Sequence, residues 1–172
     1  MFWINDQICN IFKNMAQIFI YSGPIHSGKT TRLEAWIDKI QSVDGILTPI
    51  INNKRYIKYI STNELHLLES ESGALENFQQ IGKYKFRTEI FQQAHDYILG
   101  LIDQLPKWIV IDEIGFLELN GQGFEPAVTN LIHKLKTRPD VNLIIVIRDY
   151  LREKVLDFYQ LELSMLKDFK PE

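Results

Sequence analysis

The chain's strongest chemical pattern is the run Gly23-Pro24-Ile25-His26-Ser27-Gly28-Lys29-Thr30-Thr31. It matches G-x-x-x-x-G-K-[ST], in which a glycine-rich turn aims successive backbone N–H groups inward at an anion. In such a loop Lys29 reaches the β- and γ-phosphates as a point charge, and the Thr30 hydroxyl is a ligand for Mg²⁺. Pro24, Ile25, His26, Ser27 and Thr31 contribute mainly backbone to the cradle. The expected ligand is therefore a nucleoside triphosphate.

Two acids and one arginine extend this chemistry. Ile109-Val110-Ile111 leads into Asp112 and Glu113, and a carboxylate at the end of an apolar strand holds magnesium through its water shell. An acid directly after it is placed to orient or deprotonate an attacking water, which favours hydrolysis. Alone, Glu113 reads better as a solvated strand-end acid, and it is the loop at Gly23 beside it that favours catalysis. Arg148 ends another apolar run and either stabilises charge on the transferred group or pairs locally with Asp149 or Glu153. Arg152, Arg55 and Arg87 are weaker candidates for that role.

These residues need elements to hold them. Gln17–Ser22 is an apolar run of the buried parallel-strand type, and a helix from Lys29 to Gln41 follows the loop. Trp108–Glu113 and Leu143–Ile147 read as two more buried strands. A helix precedes each of them, one over Thr88–Ile102 and one from Glu125-Pro126 onward. A helix over Tyr150–Tyr159 and a last strand over Leu161–Leu166 complete the pattern. Gly45–Ser61 reads as a hairpin turning at Asn52-Asn53, with Pro49 favouring an edge or bend. Tyr56 and Tyr59 on it either stack on a base or pack. Leu65–Leu68 and Ile81–Phe86 are short strand candidates, and Glu69–Asn77 is an exposed loop. Strands alternating with helices predict an α/β sandwich with a largely parallel central sheet and a hairpin-containing insertion. Ligands bind such sheets outside the strands' carboxyl ends, where the loop, the acids and Arg148 emerge.

Composition narrows the class. The 172 residues are 45% hydrophobic and 24% charged, the profile of a globular protein, and the length suits one domain. Nineteen Lys and Arg against 22 Asp and Glu give a net charge of -3, with no basic block that would suggest nucleic acid. The single cysteine, Cys9, fits a reducing compartment, so a cytoplasmic location is expected. The four histidines, His26, His66, His95 and His133, share no metal-ligand spacing. No apolar run approaches the roughly 18 residues of a membrane span. Residues 1–15 read as an amphipathic extension packing on a domain over 16–172.

The pairing of G-P-I-H-S-G-K-T-T with I-V-I-D-E-I-G-F-L-E-L, together with I-G-K-Y-K-F before the Thr88 helix start, resembles the THEP1-type nucleoside-triphosphatase family, a RecA-like P-loop group. The likeness covers residues 16–159, and Ile111–Leu119, with Gly115 and Glu118, is its most specific part. It implies Mg²⁺-dependent hydrolysis of nucleoside triphosphates to diphosphates with broad base tolerance. It also implies the roles given above for Lys29, Thr30, Asp112 and Glu113. Two features depart from the family. His26 stands where its loop usually has glycine, and residues 45–72, where base contacts are expected, match loosely.

The reading is a P-loop NTPase hydrolysing the γ-phosphate of ATP, GTP or a related nucleotide. Its rivals are a nucleotide or nucleoside kinase, which shares the loop, and a nucleotide-dependent binding module.

Overall fold

The computed structural model describes residues 16–70, 77–104 and 106–171. The expected amphipathic extension over 1–15 lies outside them, as does most of the expected loop over 69–77.

Five parallel strands form the centre of one sheet, in the order β10 (Leu166–Asp168), β1 (Gln17–Gly23), β9 (Asn142–Arg148), β8 (Trp108–Ile114), β2 (Val43–Leu47). Beyond β2 the sheet turns antiparallel through β4 (Lys54–Tyr59), with β3 (Ile50–Ile51) and β5 (Leu65–Leu67) paired to it. The apolar runs of β1, β8 and β9 are continuous because both faces are covered. Ile109, Ile111, Leu143, Ile145 and Ile147 point into one core with helices α2 (Thr88–Gln104) and α4 (Ala127–Leu135). The alternate residues Val110, Ile144 and Val146 point the other way, against Leu33 and Trp36 of helix α1 (Lys29–Ile37). Trp36 and Trp108 meet edge-on there, 5.2 Å between ring centroids.

The approach of β2 to β8 is close enough to require a glycine. Gly45 has φ +134°, and a Cβ on it would run into the backbone of Val110. Its neighbour Asp44 is a buried anchor: Oδ1 accepts the Gly45 N–H at 2.7 Å, the Ser61 N–H at 3.2 Å and the Tyr97 hydroxyl. That one oxygen ties β2, the end of the hairpin and α2 together.

The hairpin forms at the expected turn. Ile50 faces Arg55 and Ile51 faces Lys54, leaving Asn52-Asn53 as a two-residue loop with φ of 50° and 61°, the geometry asparagine tolerates. Four local expectations need correction. Helix α1 ends at Ile37, short of Gln41. Ile81–Phe86 is a tight two-stranded ribbon, β6 (Phe78–Ile81) with β7 (Tyr84–Arg87), broken by Gly82 at φ 56°. The expected helix over Tyr150–Tyr159 begins as a 3₁₀ turn at Asp149–Leu151 before α5 (Arg152–Phe158). Most of Leu161–Leu166 is not strand: Leu163–Met165 is a 3₁₀ turn, and β10 starts only at Leu166. A one-turn helix, α3 (Phe116–Leu119), follows β8. Among the described residues no helix is long and apolar enough to cross a membrane.

Candidate active site

The loop leaves β1 at Gly23 and enters α1 at Lys29, with Gly28 as the N-cap residue. Gly28 has φ 75° and nothing within 4 Å of where its Cβ would be, so glycine is needed there for conformation and not for space. His26 adopts φ 58°, a left-handed angle on a residue with a full side chain. Lys29 is nearly buried, and its ammonium donates to the carbonyls of Gly23, at 2.9 Å, and Pro24, at 2.8 Å. The charge thus sits at the centre of the loop, held by the same turn that would surround a phosphate. Among the described residues the buried Ser27 hydroxyl has no hydrogen-bond partner. A buried orphan of this kind is costly unless a ligand or water satisfies it, and it lies inside the cradle.

The sheet brings the distant acids to this loop. Thr30 Oγ1 donates to Asp112 Oδ2 at 2.8 Å, joining residues 82 apart in sequence. The Thr48 backbone N–H also points at Asp112 Oδ2, at 3.3 Å. Asp112 is buried, and that burial, reinforced by the neighbouring Glu113 carboxylate, pushes its carboxyl up to about 6. The bonds from Thr30 and Thr48 and the charge of Arg55 oppose the shift. An apolar setting with a like charge beside it favours the protonated acid, and a divalent cation would reverse that preference.

Glu113 is the extra residue of a bulge. Asp112 pairs with Val146 and Ile114 with Ile147, so β8 has one residue more than β9 at this point. Bulges re-aim side chains, and here Glu113 Oε1 accepts from Arg148 Nε at 2.8 Å. Arg148 therefore pairs across strands, and the local partners the sequence offered, Asp149 and Glu153, are not the ones it takes. Its Nη1 donates to the Tyr150 hydroxyl at 3.2 Å. Tyr150 in turn leans on Phe116, with ring centroids 6.3 Å apart.

The other candidates are distributed unevenly. Arg55, on β4, is close enough for its charge to act on Asp112. Arg87 forms an ion pair with Glu89, on the ribbon and α2. Arg152 binds Asp168 at 2.7 Å on the β10 side of the loop. Tyr59 is buried against Tyr97 and His66, so it packs. Glu118 is buried as well: it accepts the Gly115 N–H at 2.8 Å and the Phe124 N–H at 3.1 Å, stapling the segment after β8.

Sequence reasoning missed three contributors. The Thr48 N–H is a backbone donor and leaves no signature in residue type. Tyr150 carries no sequence signal beyond its place at the start of an expected helix. Arg32 of α1, whose Nη2 donates to the Ser27 carbonyl at 2.7 Å and whose Nε donates to the Tyr21 hydroxyl at 3.0 Å, sits two residues beyond the motif. A cation next to a phosphate loop was the signal available for it.

No curated protein matches the chain by sequence. Its fold is similar to the solved structure of THEP1 from the hyperthermophile Aquifex aeolicus, with a TM-score of 0.66 over 90% of each chain at 18% identity. That likeness establishes the architecture as a P-loop NTPase fold. A family profile described as NTPase matches residues 17–166, from the first strand of the sheet to the start of the last. The chain belongs to this NTPase family, THEP1-like in its motifs and in its fold.

Proposed function

We propose that the chain hydrolyses nucleoside triphosphates to diphosphates and phosphate, with Mg²⁺ as cofactor. The observation that carries the reading is the connection of Thr30 to Asp112 with Glu113 directly beyond it, beside a loop whose lysine is already at its centre. The donor set fits magnesium. A hydroxyl and a carboxylate oxygen 2.8 Å apart at a phosphate cradle suit a hard cation that takes its remaining ligands from phosphate and water. Among the described residues no cluster of three His, Cys, Asp or Glu offers an all-protein cage. Thr30 and Asp112 would hold the ion, which when bound would offset negative charge developing on the phosphates.

The residues then divide the work. Lys29 exchanges its two carbonyl partners for oxygens of the β- and γ-phosphates. The loop N–H groups and the Ser27 hydroxyl hold the phosphate chain in place. Glu113 orients the attacking water and accepts its proton as the oxygen–phosphorus bond forms. Arg148, one hydrogen bond from Glu113, supplies positive charge to the equatorial oxygens as the bond to the diphosphate breaks.

The test is phosphate release from a panel of triphosphates, with and without Mg²⁺, in the absence of any acceptor. Release that requires the metal is the expected result. Silence until a nucleoside or other acceptor is added would assign a kinase, and binding with no turnover under either condition would assign a switch module.

A further inference from the structure

The sheet order gives the phosphate loop two different flanks. β1, which leads into it, has β9 and then β8 on one side and β10 on the other. Asp112, Glu113 and Arg148 all belong to the β9–β8 flank. On the β10 flank lies an open cavity of about 400 Å³, lined by Tyr21, Ser22, Arg32, Arg152, Asp168 and Lys170 among others. Arg32 is two residues past Thr30, so the cavity opens beside the first turn of α1.

We propose that this cavity receives the nucleoside of the triphosphate, and that the Arg152–Asp168 pair reads it. The proposal rests on the loop being a triphosphate site. A triphosphate with its γ-phosphate at Glu113 crosses Lys29 and Thr30 and has its α-phosphate on the β10 side, facing this concave space. The volume is of the size that small-ligand sites have. Its chemistry is suitable too. Arg152 Nη2 donates to Asp168 Oδ1 at 2.7 Å, and Nη1 reaches the Ser22 hydroxyl at 3.5 Å. These contacts fix a guanidinium plane, a surface on which aromatic rings stack. The Asp168 side chain is 66% exposed, and its carboxylate accepts N–H from a base edge or O–H from ribose. Arg32 has another task, since its bonds to Ser27 and Tyr21 make it part of the loop's frame.

The hairpin is placed differently. β4 and β3 lie beyond β2 on the far side of β8, the flank that carries Asp112 and Glu113. On this proposal selection of the nucleoside belongs to the edge at β10, in place of residues 45–72, where the family resemblance places base contacts.

The experiment is a binding titration, with Mg²⁺ present, of ADP, GDP, CDP and UDP against inorganic pyrophosphate, which lacks the nucleoside. Wild type should bind at least one nucleoside diphosphate more tightly than pyrophosphate. Asp168→Asn and Arg152→Gln should weaken that diphosphate about tenfold, the worth of one charge-assisted hydrogen bond, and leave pyrophosphate within about twofold. The half-exposed ion pair contributes little to folding, and thermal unfolding of both variants checks this. Equal wild-type affinity for pyrophosphate and all four diphosphates overturns the proposal. So does an unchanged diphosphate affinity in both variants, or a parallel loss for pyrophosphate, which would show the pair acting through the loop. If wild type binds neither ligand, the triphosphate site falls and takes the pocket with it. Tight, variant-sensitive diphosphate binding without phosphate release would leave the pocket standing and refute hydrolysis alone.

Discussion

Arg148 and Glu113 face each other from adjacent strands, with Arg148 Nε 2.8 Å from Glu113 Oε1. The group that would stabilise the transferred phosphoryl and the group that would take the water's proton are therefore partners before any substrate arrives. Each holds the other at the end of its strand. Glu113→Gln should keep nucleotide affinity within a few-fold and lower turnover by at least ~10²-fold, in the range of a lost general base. Single-turnover phosphate release alongside equilibrium binding checks it, and a variant as active as wild type would remove Glu113 from the chemistry.

Arg148→Ala separates the two duties of that arginine. Loss of a preorganised cation aimed at developing charge should lower turnover ~10²–10³-fold, and Arg148→Lys should recover only part of it, since lysine lacks the fork that serves Glu113 and Tyr150 together. A fall in affinity with turnover preserved would mean that Arg148 binds substrate and does no more.

Lys29→Ala should abolish triphosphate binding while leaving the protein folded. Its ammonium has only carbonyl partners in the loop, so truncation removes a charge without stranding a buried counterion. Nucleotide titration with thermal unfolding as control is sufficient, and wild-type affinity in the variant would contradict the loop's role.

His26 tests the loop's backbone. At φ 58° a β-branched side chain is strained, so His26→Val should destabilise the protein by about 1–2 kcal/mol and weaken phosphate binding. His26→Gly should retain both. Equal behaviour of the two variants would mean that the angle places no demand on the residue.

Glu118 gives a pH signature. Burial dominates its environment and pushes the carboxyl up to about 7, against hydrogen bonds from Gly115 and Phe124. An acid whose folded value is raised binds more protons folded than unfolded. Its contribution is therefore present below the unfolded value near 4.5 and is lost as pH rises through about 7. Between pH 5 and 8 the unfolding free energy of wild type should fall by about 2–3 kcal/mol relative to Glu118→Gln. Urea denaturation of both proteins at the two pH values measures it, and parallel profiles would refute the assignment.

The sequence was most legible where local chemistry and tertiary demand agree. β1, β8 and β9 could be read because both faces of the sheet are covered, which makes each strand a continuous apolar run. Asn52-Asn53 could be read because few residues other than glycine accept their angles. Thr30 and Asp112 met as the two motifs implied. The Arg148 partner was hidden because Asp149 and Glu153 compete for it locally, and only the strand order with a bulge at Glu113 decides among them. The Ile81–Phe86 ribbon was hidden because Gly82 breaks what alternation alone presents as one strand. The contribution of Thr48 is a backbone N–H, which any residue but proline possesses.

Asp44 has a mechanical meaning beyond its hydrogen bonds. Three donors from β2, the end of the hairpin and α2 converge on one buried oxygen, so it acts as a pivot pin. A rigid swing of the hairpin away from the sheet would have to break two contacts of Ser61 at once, its N–H to Asp44 and its hydroxyl to the Tyr97 hydroxyl. Together with the β2–β4 pairing, these contacts tether the root of the hairpin to both the sheet and α2.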